Sequence, residues 1–241
     1  MATYTFTQTE SQTTPDTLFH TVLTVIDYHT DPSGGTRSTW VLGTHTGLPA
    51  AKAFARKSLQ ELGYERDDFD QYEEAPAGGA PTPEVTGAKM KEWTHGDGYV
   101  VWAKAPAGQV FEVKIDANGN NENLPASKDD APVLPTGADH LHYVMQTRID
   151  YNKDRNGAEQ ETDVEGSYVK RGDAMVAAKG LLLKGDFDEY DERDEKDGKG
   201  EWEFGEDVVV HAVKGSGENF DVAVKTIPGA HKKHAKRAMK A

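Results

Sequence analysis

Residues 25–31 read "VIDYHTD", and residues 148–154 read "RIDYNKD", so that one pattern returns after 123 positions. At the same offset Val41 aligns with Val164. Such a match indicates that part of the chain is duplicated.

Three further pairs of segments extend this match. The acidic stretch "DFDQYEE" (68–74) returns as "DFDEYDE" (186–192) at an offset of 118. At an offset of 109, "FEVKI" (111–115) meets "FDVAV" (220–224), and Trp93 and "YVVWA" (99–103) meet Trp202 and "VVVHA" (208–212). The matches keep their order, and the offset changes only in loop-like stretches. We therefore interpret the chain as two copies of one unit.

Each copy has the pattern of a ββαββ unit. In repeat 1, segments rich in Thr, Val and aromatic residues predict strands at "HTVLTVIDYHT" (20–30), "RSTWVLGTH" (37–45), "GYVVWAKA" (98–105) and "QVFEVKI" (109–115). Apolar residues at helical spacing predict a helix over 48–62, with Gly63 just beyond its end. Repeat 2 predicts strands near 141–152, 159–169, 207–214 and 219–227, and a helix near 172–184.

These patterns predict an α+β fold: a tandem duplication of a ββαββ unit with antiparallel sheets and one helix per repeat. Two similar fused units are expected to pack about a pseudo-twofold axis. The predicted segments are a polar N-terminal arm (1–17), repeat 1 (18–116), a Pro/Gly/Asn-rich linker (117–139), repeat 2 (140–228) and a basic tail (229–241).

The composition limits the classes of function. The chain has 241 residues, no cysteine and a net charge of -14, and the absence of cysteine excludes disulfides and thiol catalysis. Five of the positive charges lie in the tail "HKKHAKRAMKA" (231–241), so the remainder carries -19 and would repel nucleic acid. The N-terminus has neither the basic nor the apolar region of a signal peptide, and no apolar run is long enough to span a membrane. We expect a soluble, cytoplasmic protein that binds neither nucleic acid nor membranes.

The first predicted hairpin differs between the copies. Alternation predicts that Val22, Thr24, Ile26 and Tyr28 face the helix and the core. On the opposite face, Leu23 and Val25 correspond to Gln146 and Arg148, while Trp40 and Leu42 correspond to Asp163 and Glu165. The expected register sets Val22 against Gly43, and hence Leu23 against Leu42 and Val25 against Trp40. In repeat 2 this register sets Gln146 against Glu165 and Arg148 against Asp163.

This difference predicts an apolar patch on repeat 1 where repeat 2 has a solvated face, and Trp102, which aligns with His211, would extend it. An exposed patch of this size commonly marks a contact surface. Three alternatives remain open: the N-terminal arm or the linker covers the patch, the patch mediates a homodimer, or it binds a protein or a small molecule.

Other stretches offer weaker signals. Asp150, Asn152 and Asp154 imitate the start of a calcium loop, but the segment enters a hairpin turn, where these residue types are favoured on their own. In the acidic stretches, Phe69 and Tyr72 are spaced as on one helical turn, which predicts a short element held by two aromatic rings with its carboxylates in water. A weak cation site or a contact for a basic partner is the alternative there.

The sequence thus favours a non-catalytic binding or assembly protein that uses the sheet face of repeat 1. The predicted binding residues are Leu23, Val25, Trp40, Leu42, Trp102 and His45. No catalytic residue, metal ligand or cofactor is predicted. The alternative is an enzyme or small-molecule binder with a pocket between the repeats, in which His45 and neighbouring aromatic residues take part.

Overall fold

The computed structural model describes residues 13–76, 93–193 and 202–229. Unit 1 contains β1 (Thr17–Asp27), β2 (Arg37–His45), α1 (Leu48–Glu61), β3 (Gln71–Glu74), β4 (Tyr99–Lys104) and β5 (Gln109–Gly119). Unit 2 contains β6 (His142–Asp150), β7 (Gln160–Tyr168), α2 (Arg171–Leu181), β8 (Glu189–Glu192), β9 (Val208–Val213) and β10 (Glu218–Thr226). The two units have the same order of elements, as the tandem repeat predicts. The predicted arm up to Gln12 and most of the tail lie outside the described residues.

Each unit folds into one antiparallel five-stranded sheet with one helix. The strand order is β2-β1-β5-β4-β3 in unit 1 and β7-β6-β10-β9-β8 in unit 2. The predicted α+β class and the single helix per repeat are confirmed, and each unit has one strand more than the ββαββ pattern predicts.

The additional strand lies in the acidic stretch that the sequence assigned to a helical turn. A short 3-10 helix ends at Asp68, and the chain then pairs with β4, with Tyr72 opposite Ala103. Phe69 is buried in the core and its ring centre lies 5.7 Å from that of Tyr72. The two aromatic rings therefore hold the segment as predicted, but the backbone between them is extended because it completes the sheet edge.

Both helices contact their sheets through buried alanine side chains. Ala51 and Ala55 of α1 are 0 % exposed, and so are the equivalent Ala174 and Ala178 of α2. Small side chains at these positions let the helix backbone lie close to the sheet, which buries the branched residues beneath it.

The molecule has four layers, in the order α1, sheet of unit 1, sheet of unit 2, α2. Leu23 packs with Ala55 and Leu59 of α1 in the first core cluster. Val22 belongs to a different cluster, which joins the two sheets. The predicted face assignment is therefore wrong, since Val22 points toward the other unit and Leu23 points toward the helix. A covered second face was not expected, because alternation alone does not say which face the helix occupies.

The core between the sheets consists largely of equivalent residues. Its members include three such pairs: Leu18 and Leu141, Val22 and Met145, and Val41 and Val164. At the hairpin turns, Arg37 donates to the carbonyl of Ala158, and Gln160, its equivalent, donates to the carbonyl of Gly35 at 2.8 Å. These reciprocal contacts are those of a pseudo-twofold arrangement.

Side chains from one sheet cap the edge strand of the other. Asp116 of β5 accepts a hydrogen bond from the backbone N–H of Val164 at 2.7 Å, which satisfies a donor on the edge strand β7. Lys225 occupies the equivalent position in β10 and donates to the carbonyl of Thr39 in β2 at 3.1 Å. Protecting both edges in this way leaves fewer backbone groups for pairing with another chain.

The predicted linker contributes to the fold. Leu124 is buried in the core between the sheets. The Asn120 side chain donates to the carbonyls of Pro15 and Leu124 and accepts from the N–H of Leu124. The segment therefore fixes the chain that precedes β1 as well as the start of the connection between the units.

Candidate functional site

The apolar face predicted in repeat 1 lies beneath helix α1. Leu23 is 3 % exposed, and Val25, Trp40 and Leu42 pack against the same cluster. The predicted register is also wrong, because Leu23 lies opposite Trp40 and Val25 opposite Ser38, with a bulge before Val22. In unit 2 the partners are correspondingly Gln146 with Asp163 and Arg148 with Glu161. Helix α1 covers this face, and residues 1–12 of the arm that was the other candidate lie outside the described residues.

Trp102 and His45 lie apart from one another. Trp102 occupies the face of β4 opposite to Val101 and Ala103, which pack toward the helix, and its ring stacks on His95 with centroids 4.7 Å apart. His45 contacts Phe54 of α1, with ring centroids 5.1 Å apart. Burial lowers the pKa of His45, and nearby Asp130 partly offsets this shift. Neither residue lines the cleft between the units that is described next.

A polar cleft of about 330 Å³ lies between the two units, near their first hairpins. This volume falls in the range of about 300–1,000 Å³ that is usual for sites binding small molecules. We call it the inter-unit cleft; its lining residues are Thr24, Arg37, Thr39, Tyr99, Glu112, Lys114, Arg148, Asp150, Lys153, Ala158, Glu159, Gln160, Glu161 and Thr162.

The cations of the inter-unit cleft are held by fixed partners. Arg37 donates to the carbonyls of Gly34, Ala158 and Gln160. Lys114 forms an ion pair with Asp163 at 2.9 Å. Burial, the largest single influence, opposes the charge of Lys114, but the hydrogen bond and the charge of Asp163, together with the charge of Asp116, outweigh it and raise the lysine pKa.

The carboxylate of Glu112 differs from these groups. It lies on the inner face of β5, the face turned toward unit 2, next to Trp102 on β4 and Thr24 on β1. Within the described ranges it has neither a hydrogen bond nor an ion pair closer than 4 Å. Burial raises its pKa, and the positive charges of Arg37, His95 and Lys114 only partly offset that effect. A half-buried carboxylate without a partner destabilises the fold, which is typical of a group kept for binding.

A second cavity meets the inter-unit cleft at Glu112. This lateral groove has a volume of about 500 Å³ and runs toward the hairpin loops of unit 1. Its lining residues are Ile26, Tyr28, Pro32, Gln71, Trp102, Lys104, Gly108, Val110 and Glu112. The groove thus places mainly apolar and aromatic side chains, with Gln71 and Lys104 among them, on one side of the carboxylate, and the inter-unit cleft places polar ones on the other.

Tyr99 lies on the cleft side of Glu112. Burial raises the pKa of the Tyr99 hydroxyl, and the charge of Glu112 raises it further. Among the residues that the structure describes, this hydroxyl has no hydrogen-bond partner. Thr24 and Thr39 bond to each other, with their hydroxyl oxygens 3.1 Å apart. The phenol is therefore a second polar group that a ligand could engage.

Unit 2 has a closed version of the same arrangement. Asp221 is the equivalent of Glu112, and it bonds to Nδ1 of His211 at 2.7 Å. His211 stacks on Phe204 with centroids 4.0 Å apart, as Trp102 stacks on His95 in unit 1. Since Trp102 replaces His211, unit 1 keeps the acid but lacks the imidazole that would pair with it.

A buried histidine lies near the pseudo-twofold axis. His20 is 0 % exposed, and its Nδ1 lies 2.9 Å from the Thr44 hydroxyl, which also bonds to the Tyr143 hydroxyl. The rings of His20 and Tyr143, which are equivalent residues, meet edge to face at 5.6 Å. Burial lowers the pKa of His20, while nearby Asn118 and Asp116 act in the opposite direction. This histidine joins the units from within the core.

The turns that resemble a calcium loop use their acids locally. Asp150 accepts from the N–H groups of Asn152 and Lys153, and Asp154 accepts from that of Asn156. No cluster of three or more metal-binding side chains occurs in the described parts of the chain. The turn explanation accounts for these residues.

Sequence reasoning did not find Glu112, although a signal was present. The aligned segments pair Trp102 with His211 and Glu112 with Asp221, and the last hairpin of each unit sets the acid opposite its aromatic partner. The loss of a histidine opposite a retained acid would have indicated an unpaired carboxylate. Arg37, Tyr99 and Lys114 gave no such signal, because their proximity depends on how the units pack.

Comparisons with known proteins give no relative: no family model matches the chain, and no curated protein or solved structure is significantly similar to it. Among the described residues, neither helix has the length and apolar character needed to cross a membrane. The arguments about function therefore rest on the geometry of this chain alone.

Proposed function

We propose that this protein is a non-catalytic binding protein that takes a small organic ligand into the inter-unit cleft, in contact with Glu112. The observation that carries the proposal is the half-buried Glu112 carboxylate, which has no partner among residues 13–76, 93–193 and 202–229 and lies where two cavities meet. A ligand that supplies this partner would recover the free energy lost by desolvating the charge.

The surroundings of Glu112 favour recognition of a ligand. Arg37 and Gln160 tie the hairpins of the two units together, and Lys114 crosses from unit 1 to Asp163 of unit 2. Their side chains are thus held in place before a ligand arrives, which reduces the entropy cost of binding. We also keep the cytoplasmic location that the sequence suggests as part of this proposal.

The role assigned from the sequence to Leu23, Val25, Trp40 and Leu42 in self-association stays a prediction. Because these residues pack under α1, using them would require the helix to move. The geometry therefore favours the inter-unit cleft over the outer sheet face, and light scattering at several concentrations would detect a homodimer.

The test is a screen of small amines, acids, zwitterions and neutral compounds by NMR on the isotope-labelled full chain. We expect ligands to shift the amide signals of Arg37, Tyr99, Glu112 and Lys114 while leaving those near Asp221 in place. Hits whose shifts map elsewhere, or a library without hits, would overturn the proposal.

A matched pair of variants provides the control. Thr24→Trp fills the inter-unit cleft, whereas Val176→Trp adds the same side chain at a position of α2 that is 74 % exposed and does not line the cleft. Binding should be lost only in the first variant. The melting temperatures of both variants show whether each is folded, and the NMR mapping on the unmodified chain does not depend on either of them.

A further inference from the structure

Resting on the function proposed above, we propose that the ligand is a primary amine with an aromatic or aliphatic body: the ammonium group contacts Glu112 and the body lies in the lateral groove. The inference assigns a chemical class to a site whose polar and apolar parts meet at one residue.

The charges around the site favour a cationic ligand. Arg37 and Lys114 already have partners, whereas no described residue pairs with Glu112. Lys104, the other cation bordering the groove, is exposed, so water screens its charge. The half-buried charge that has no partner in the described part of the chain is the Glu112 carboxylate, and it selects a cation. The strongly acidic chain, with a net charge of -14, adds a long-range attraction for cations.

The equivalent acid of unit 2 has a nitrogen donor as its partner. Asp221 has the imidazole of His211 as a neighbour, which can donate a hydrogen bond to it or carry a positive charge. The acid at this position thus takes a nitrogen donor in unit 2. With Trp102 in place of the histidine, the corresponding nitrogen in unit 1 would come from the ligand.

The lateral groove has an apolar floor and aromatic sides that suit the body of such an amine. Ile26 and Val110 are 4 % and 6 % exposed and form its floor, while Tyr28 is 39 % exposed and stands at its side. Trp102 borders both the groove and Glu112. Its ring offers an apolar surface for the body and a cation–π contact for the ammonium group, provided that the ammonium lies within about 6 Å of the ring centre.

The experiment compares three probes of similar shape: 2-phenylethylamine, the neutral 2-phenylethanol and the anionic 3-phenylpropanoate. Each is titrated into the full chain at pH 7 and followed by NMR. We expect the amine to bind with the strongest affinity, with shifts at Glu112, Trp102 and Tyr28, and the alcohol to bind at least tenfold more weakly.

Two variants separate charge from packing. Glu112→Gln keeps the shape of the side chain and removes its charge, so amine binding should weaken at least tenfold. Asp221→Asn makes the same kind of change in unit 2 and should leave amine binding unchanged. Binding to the unmodified chain should also strengthen as the pH rises through the pKa of Glu112, because only the ionised carboxylate attracts the ammonium group.

The outcomes distinguish the ligand class from the site. If the acid or the alcohol binds in the cleft more tightly than the amine, the amine assignment is wrong but the cleft remains a binding site. An amine that binds equally well to Glu112→Gln would also overturn the assignment. If none of the three probes shifts a cleft signal, the amine assignment fails, and the broader library decides whether the cleft binds anything.

Discussion

Unit 1 and unit 2 have the same order of elements and contribute equivalent residues to the core between them, yet they differ in two rows of side chains. On the outer sheet face, Leu23 of unit 1 corresponds to Gln146 of unit 2. On the inner face, Trp102 and Glu112 correspond to His211 and Asp221. The shared residues hold the units together, so the rows that differ are the places where separate roles for the two units can be tested.

The side chains on the outer sheet face differ between the units in step with the length of the helix that covers them. Helix α1 has 14 residues and α2 has 11, so α1 is about 4.5 Å longer at a rise of about 1.5 Å per residue. In unit 2, Arg148 is exposed and forms an ion pair with Glu218 on the neighbouring strand. Apolar residues are thus found where the helix covers the sheet, and paired charges where water reaches it.

On the inner sheet face, the two units differ in the partner of one acidic residue. Asp221 has its histidine partner, whereas Glu112 lines two cavities and has no partner in the described part of the chain. The two units therefore differ in whether this acid has a partner among the described residues, and the proposed function gives the open acid of unit 1 a ligand to meet.

The largest effect is expected for Leu23→Gln, which places the unit 2 side chain beneath α1. The change removes apolar contacts and buries an amide, so we expect a loss of about 3–5 kcal/mol in the free energy of unfolding. Urea unfolding followed by tryptophan fluorescence measures it. The reverse change in unit 2, Gln146→Leu, should alter stability by less than about 1 kcal/mol. Small effects in both variants would show that α1 does not bury Leu23.

A smaller effect is expected for Gly35→Ala at the contact between the hairpins. A Cβ atom at Gly35 would lie 2.1 Å from the carbonyl oxygen of Asn156 in unit 2, so the backbones must separate. Such overpacking costs about 1–3 kcal/mol. Thermal unfolding measures the loss, and Ala158→Gly is the matched control, with an expected cost of about 0.5–1 kcal/mol. A Gly35→Ala variant as stable as the unmodified chain would contradict this contact between the units.

The strands, the helices and the duplication could be predicted from the sequence because each depends on local patterns. Thr- and Val-rich alternation marked β1 and β2, and the spacing of Ala51 and Ala55 marked α1. The strand in the acidic stretch was missed because it forms only by pairing with β4, and residues 75–98 separate the two strands in the sequence. A four-residue edge strand has no strong local signal.

The site was harder to predict than the fold. Alternation separates two faces of a strand but does not say which one the helix covers, so Leu23 was assigned to the wrong face. The register of the first hairpin differs from the predicted one by one residue before Val22, and the bulge next to Val22 adds a second residue. The inter-unit cleft forms only when Arg37 and Lys114 of unit 1 meet unit 2, and no pattern within either repeat encodes that contact.

The smallest effect concerns the charge of Glu112. Burial raises its pKa, so the folded chain holds this proton more tightly than the unfolded chain does. The ionised carboxylate therefore lowers stability above the folded pKa, and this penalty disappears as the pH falls below the unfolded value near 4.5.

Glu112→Gln should accordingly raise the melting temperature at pH 7, on the order of 2 °C, and the gain should shrink as the pH is lowered to 4. Asp221→Asn, which disrupts the bond to His211, should instead lower the melting temperature at pH 7. Calorimetry across this pH range measures both. A gain that does not depend on pH would mean that packing, and not the buried charge, distinguishes the two acids. Opposite signs in the two units would establish that one acid stabilises the fold while the other is kept at a cost to it.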